Sequence, residues 1–250
     1  MAVDPFFARA AQSPRSTRSG ACDLPIHYRD ASQFGVLFRV DLDRAREVVG
    51  DGAGVEPWPI FGKAIAAIYA WDYRDTSVGS YAELGLGVQC RRKGTSPSLV
   101  RLATDMGAQD DQGIWVVTLP VTTQSAFEAG VDLWNYPKYV TPITTRFERD
   151  SASVTLANEL ELSVGALGGP RLAGQPVVTY TRKDGVLLRT RIDVDHRVRW
   201  GRGADAKLEI KGDGATARAA RALGLDRASV AAAFRADAFR AVLPAGIAIR

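Results

Sequence analysis

From residue 24 onward, apolar and polar positions recur more often with the short period of strands than with the period of helices. Phe34 to Val40 (FGVLFRV) is a compact run of β-formers. Ala64 to Tyr73 (AIAAIYAWDY) reads as a buried strand, and Tyr81 to Arg91 (YAELGLGVQCR) as another with near-alternating faces. Ser98 to Met106, Ile114 to Val121, Thr144 to Glu148, Ser153 to Val164, Val177 to Arg182 and Val186 to Val194 continue the habit. Lys183-Asp184-Gly185 is a hairpin turn between the last two, and Gly165 to Gly174 reads as a loop. Four segments carry a helical pattern instead. Arg44 to Val49 follows Asp41 and Asp43 as candidate caps, and Thr122 to Trp134 follows Thr122 or Thr123. Ala215 to Leu223 and Ser229 to Phe239 are the other two. Pro137 ends any helix at the residue before it. Many short strands with a few short helices predict a β-rich α+β fold in which antiparallel sheets wrap a central cavity. No repeat or strong linker divides it, so residues 24–250 are expected to form one domain behind a flexible arm, residues 1–23.

That arm holds Arg9, Arg15 and Arg18 among Ser, Thr, Ala and Pro. It lacks the apolar stretch of a secretory signal, resembles an organellar transit peptide only weakly, and reads as a frayed terminus. Cytoplasm is the expected compartment, with Cys22 and Cys90 as free thiols. Composition agrees with a globular chain: 46% of the 250 residues are hydrophobic and 24% charged. No apolar run approaches the ~20 residues a membrane helix needs, so no membrane partner is expected. The net charge of +4 comes from 26 arginines and only six lysines, scattered among acids. Such arginine usage reflects coding bias rather than nucleic-acid binding, and Arg91-Arg92-Lys93 reads as a solvated turn.

Familiar motifs are missing from the sequence. It has no P-loop, no strand–GxGxxG–helix fingerprint, no HExxH and no GxSxG. Two cysteines exclude a disulfide scaffold and a four-cysteine zinc site, and His27 and His196 are the only histidines. Alternation puts Asp193 and Asp195 on one strand face beside His196, where they would hold a hard cation or simply meet solvent near Arg197 and Arg199. No metal, nucleotide or flavin is implied.

One lysine stands apart. Lys138 lies in Leu133-Trp134-Asn135-Tyr136-Pro137-Lys138-Tyr139-Val140, the only lysine inside an aromatic cluster. Such surroundings strip water from an ammonium and favour the free amine. A free amine attacks a ketone or aldehyde carbonyl to give an imine, whose protonated form stabilises a carbanion on the next carbon. Pro137 fixes the backbone just before it. The plain alternative is a snorkelling lysine whose stem covers the aromatics.

The stretch Ala126…Gly130…Trp134-Asn135-Tyr136-Pro137-Lys138 resembles the nucleophile motif of the acetoacetate decarboxylase superfamily, and Gly79-Ser80-Tyr81-Ala82-Glu83 resembles its Gly-x-Tyr-x-Glu strand motif. The resemblance covers roughly residues 25–245. It implies an acetoacetate decarboxylase-like fold, a homo-oligomer, Lys138 as Schiff-base nucleophile and Glu83 as proton shuttle. Tyr81 and Tyr136 become candidate donors to a developing alkoxide, with Trp134 and Tyr139 beside them. The sequence also departs from the family's decarboxylases. There a second lysine follows the nucleophile and lowers its pKa; here Tyr139 stands in its place. A second glutamate is expected near Ala70, with Asp72 two residues on. Arg29 lies in the neighbourhood of the substrate-carboxylate arginine. Keeping Lys138 and Glu83 without these extras resembles the family's Schiff-base aldolase-dehydratases at least as well. Three readings follow: a Schiff-base lyase acting on a small keto acid or ketone, acetoacetate decarboxylation itself, and a non-catalytic small-molecule binder on the same fold.

Overall fold

The computed structural model describes residues 4–249 except 10, 19, 105–110 and 204. In chain order, the hairpin β1 (Ser13–Thr17) and β2 (Gly20–Leu24) precedes the long strand β3 (Ile26–Val40), helix α1 (Leu42–Val49) and the short β4 (Val55–Pro57). Then come β5 (Ala64–Thr76), β6 (Tyr81–Arg92), α2 (Leu99–Thr104), β7 (Gln112–Thr118) and α3 (Gln124–Trp134). The second half holds β8 (Ile143–Phe147), β9 (Ala152–Leu156), β10 (Leu160–Val164), β11 (Arg171–Ala173), β12 (Val177–Lys183) and β13 (Val186–Gly201). It ends with β14 (Lys207–Ile210), α4 (Ala215–Ala222), β15 (Ser229–Leu243) and β16 (Ile247–Ile249).

The strands β13, β12, β7, β6, β5, β3 and β15 are joined edge to edge in that order, and pairing of β15 with β13 closes them into a barrel. Every seam is antiparallel except β7–β12. Closure removes the sheet's free edges. Where the second sheet covers the barrel, alternation divides a strand between two apolar environments. On β5, Ala64, Ala66, Ile68 and Ala70 face outward into the core, while Ile65, Ala67, Tyr69, Trp71 and Tyr73 line the lumen. The outward side packs against a second sheet, ordered β14-β10-β9-β8, with Phe34, Leu84 and Leu86 meeting Val154, Leu156 and Leu162 in one buried cluster. A strand that is apolar on both faces therefore has a double reason: core outside, cavity inside.

Local chemistry agrees with the sequence at several elements. The Asp41 carboxylate accepts from the Asp43 and Arg44 N–H groups and starts α1. Asp184 and Gly185 have φ of 50° and 80°, the left-handed pair that a tight hairpin between β12 and β13 needs. The stretch 153–164 is two strands, because Asn158, with φ of 59°, turns the chain between β9 and β10.

Some expectations of secondary structure are corrected. The alanine-rich stretch from Ser229 is strand β15 rather than a helix; it bonds β3 on one side and β13 on the other, and those two ladders outweigh its helical propensity. Ser98 to Met106 is not a strand: Leu99–Thr104 is helical, with the Ser98 hydroxyl accepting from the Arg101 N–H, and 105–106 lie outside the described residues. The N-terminal arm carries a β-hairpin. Arg18 fastens it by donating its backbone N–H and its guanidinium to Asp132 on α3. The Gly165 to Gly174 loop also includes the three-residue β11, which pairs with β13. No helix among the described residues is long and apolar enough to cross a membrane.

Candidate active site

Lys138 reaches the lumen because of how α3 ends. The Thr123 hydroxyl accepts from the Ala126 N–H to start this helix. Asn135, left-handed at φ 54°, stops it by donating its N–H to the carbonyls of Gly130 and Val131. The chain then turns tightly about Pro137, with the Lys138 N–H donating to the Tyr136 carbonyl at 2.7 Å. Beyond it, the Leu119 N–H donates to the Pro137 carbonyl at 3.0 Å and the Val121 N–H to the Tyr139 carbonyl at 2.9 Å. The other edge of the Leu119–Val121 segment is held by β6, where the Leu84 N–H donates to the Pro120 carbonyl at 3.1 Å. One extended segment thus aligns Glu83 and Lys138 on its two sides, and both side chains enter the cavity.

Lys138 Nζ lies 2.5 Å from Glu83 Oε2, and the two side chains are only 6% and 8% exposed. The expected burial of the amine is present. Its companion is a carboxylate rather than a second cation. A buried amine and carboxyl in direct contact share a charge-assisted hydrogen bond, the arrangement that acid–base chemistry at a carbonyl would use.

The lumen is a cavity of about 730 Å³. Tyr81 lies beneath the amine, with Nζ 5.7 Å from its ring centroid. The Tyr81 and Tyr28 hydroxyls are 3.2 Å apart, and Tyr73 packs against both rings at 4.6 and 4.7 Å between centroids. Burial first, then mutual repulsion and the Glu83 carboxylate, push these three phenols well up, so they remain protonated donors. Two hydroxyls sharing one hydrogen bond leave one proton for a ligand. Tyr136 also lines the lumen; its hydroxyl pairs with Thr179 Oγ1 at 2.8 Å, and burial pushes it up to about 12. Trp134 lines the lumen too, stacked on Tyr136, with its indole N–H given to the Pro244 carbonyl at 3.1 Å.

Two candidates lie elsewhere. Tyr139 turns to the opposite side of its strand segment. Its hydroxyl donates to Glu159 Oε1 at 2.6 Å and pairs with Thr216, while Glu159 accepts from the first N–H groups of α4. It anchors the second sheet and helix, because neighbouring extended residues point opposite ways. Arg29 is on the surface, 3.3 Å from Asp75. The same parity removes the candidates for a second acid: Ala70 is in the outer core, and Asp72 pairs with Arg74 at 3.3 Å. Asp193 and Asp195 face out and are held by Arg191 and Arg240. No cluster of three metal-binding side chains exists among the described residues. Cys22 and Cys90 are buried free thiols.

Several lumen residues escaped the sequence reading: Tyr28, Tyr73, Trp71, Gln33 and His196. A signal existed for part of this set. Tyr69, Trp71 and Tyr73 recur at every second position of β5, which is an aromatic stripe on one face.

The family profile described as acetoacetate decarboxylase (ADC) matches residues 10–173. No curated protein matches the chain in sequence. Among solved structures, the acetoacetate decarboxylase of Legionella pneumophila aligns with a TM-score of 0.68 at 15% identity, covering 90% of this chain and 87% of that one. An acetoacetate decarboxylase-like enzyme from Sphingomonas wittichii aligns at 0.62 and 14% identity, covering 92% and 94%. The enduracididine biosynthesis enzyme MppR, with HEPES buffer bound, aligns at 0.61 and 16% identity, covering 90% and 87%.

Proposed function

The chain belongs to the acetoacetate decarboxylase family, and from that membership together with the buried Lys138–Glu83 pair we propose a Schiff-base-forming lyase. The observation that carries this reading is the 2.5 Å contact between a buried amine and a buried carboxyl group that both line the barrel cavity. A proton passing from Nζ to Glu83 leaves a neutral amine beside a neutral acid, with no charge buried. The amine adds to a ketone or aldehyde carbonyl to give a carbinolamine. Its hydroxyl takes the Glu83 proton and leaves as water, so the products are an iminium and the Glu83 carboxylate. That carboxylate next removes a proton from the carbon beside the iminium. Alternatively, the iminium accepts the electron pair of a breaking carbon–carbon bond; either route ends in an enamine. The spare phenol proton of the Tyr28–Tyr81 pair would stabilise oxygen charge during addition.

Borohydride reduction in the presence of a panel of ketones and aldehydes tests this. An adduct on the peptide containing Lys138, lost in Lys138→Arg, supports the reading. No adduct with any carbonyl compound, or an adduct that persists in Lys138→Arg, removes it and leaves a binding protein. Carbon dioxide release from acetoacetate separates decarboxylation from aldol–dehydration chemistry.

A further inference from the structure

The lumen is far larger and less polar than a small keto acid requires. Lys138 and Glu83 sit at the level of Trp71, which pairs with Glu83 across the β5–β6 ladder. From Trp71 the inward face of β5 continues through Tyr69 and Ala67 to Ile65. At ~3.3 Å per residue that is about 20 Å of wall beyond the amine. The cavity volume, about 730 Å³, falls among sites that enclose drug-sized ligands.

Charge points the same way. Among the described lining residues there is no arginine, and Lys138 is the only lysine. His196 lines the wall, but burial pushes it down to about 4, so it is neutral at neutral pH. An iminium on Lys138 already has its counterion in Glu83. A substrate carboxylate would be a third charge with no partner in an apolar chamber, which is costly.

The wall also presents a flat surface. Tyr69, Trp71 and Tyr73 form a ladder, with 5.7 Å and 22° between the first two rings and 6.1 Å and 9° between the last two. The Trp71 indole is held by donating its N–H to Gln33 Oε1 at 2.6 Å. On β6, Gly85 keeps the space beside that indole free; a β-carbon there would stand 3.2 Å from the Trp71 ring. The amine end is walled by buried Ile26, Tyr28, Tyr81 and Trp134. At the other end Leu172 is 51% exposed.

We infer that the substrate is an uncharged ketone or aldehyde bearing an extended apolar group, aryl in preference, which enters carbonyl first and lies along the Trp71–Tyr69 face toward the open end. This rests on the Schiff-base reading and narrows it. A flat apolar group gains both area and stacking there.

The test is reductive trapping of the full chain with four matched compounds: acetone, pyruvate, benzylacetone and benzylpyruvate. Each rate is divided by the rate of the same compound with a free alkylamine, and binding is followed in parallel by tryptophan fluorescence. Benzylacetone is expected to label Lys138 about 100-fold faster than acetone at equal concentration, and about 10-fold or more faster than benzylpyruvate. Labelling of Lys138 by pyruvate or acetone that equals or exceeds labelling by benzylacetone overturns the substrate class and leaves the Schiff base intact. Saturable binding of benzylacetone without any adduct does the reverse: the chamber's preference stands and the Schiff base falls. Neither binding nor labelling removes both.

Discussion

Gly130 lies directly under the Lys138 side chain: a β-carbon on the glycine would stand 2.3 Å from Lys138 Cε and 2.5 Å from Cδ. The α3 surface is notched at this one residue so that the lysine stem can cross it into the lumen.

Gly130→Ala therefore separates reactivity from stability. The helix gains roughly 0.5–1 kcal/mol of propensity, and the flexible lysine moves aside. We expect the denaturation midpoint to change little and adduct formation at Lys138 to fall about 10-fold or more. An unaltered trapping rate would show that the lysine's path does not depend on the notch.

Glu83→Gln leaves the lysine in the lumen without its anion. Loss of one partner of a buried pair costs about 3–5 kcal/mol, and general acid–base help worth roughly 100-fold or more disappears with it. The double variant Glu83→Gln/Lys138→Met is expected to be more stable than Glu83→Gln alone, because no orphaned charge remains. Urea denaturation of the wild type, both single variants and the double variant measures that coupling; additive losses would mean the two groups do not interact.

Tyr139→Phe touches the other side of the same segment. It removes a hydrogen bond to Glu159 at 2.6 Å, and a loss of about 1 kcal/mol is expected. Trapping at Lys138 should keep its wild-type rate. A large drop in that rate would place Tyr139 in the reaction after all.

The histidines give the fold an acid-sensitive component. Burial lowers His27 and takes His196 from its ordinary 6.5 to about 4. Between those values the unfolded chain holds the proton and the folded chain does not. Stability from His196 is therefore whole above about pH 6.5 and decays as pH falls toward about 4, by about 3 kcal/mol in all. Its Nδ1 is buried without a hydrogen-bond partner, and the ring packs on Phe239 at 5.0 Å. His196→Leu should narrow the gap between stabilities measured near pH 7.5 and near pH 4.5. An unchanged gap would assign acid sensitivity to other groups.

Lys138 and Glu83 were legible as candidates because each sits in a motif that resembles the family's, Trp134-Asn135-Tyr136-Pro137-Lys138 and Gly79-Ser80-Tyr81-Ala82-Glu83, and the fold brings the two side chains into contact. Local rules also found the α1 cap, α3 and the Asp184-Gly185 turn. What failed depends on partners distant in sequence. Ser229 to Leu243 becomes a strand because β3 and β13 both offer it a ladder, and nothing within the segment announces them. Tyr28 and Tyr73 join Tyr81 through the registers of the β3–β5 and β5–β6 pairs, which a linear reading does not contain. Tyr139 was nominated by its place directly after Lys138, and Arg29 by the neighbourhood in which the family's carboxylate-binding arginine is expected; strand parity turns the first away and the surface takes the second.

The last ring strand in chain order, β15, supplies two of the seven seams at once. Lys138 is buried only when those seams are closed. Long-range ladders of this kind form late and together. The pocket around Lys138 and Glu83 is consequently a property of the completed ring and of no single hairpin within it.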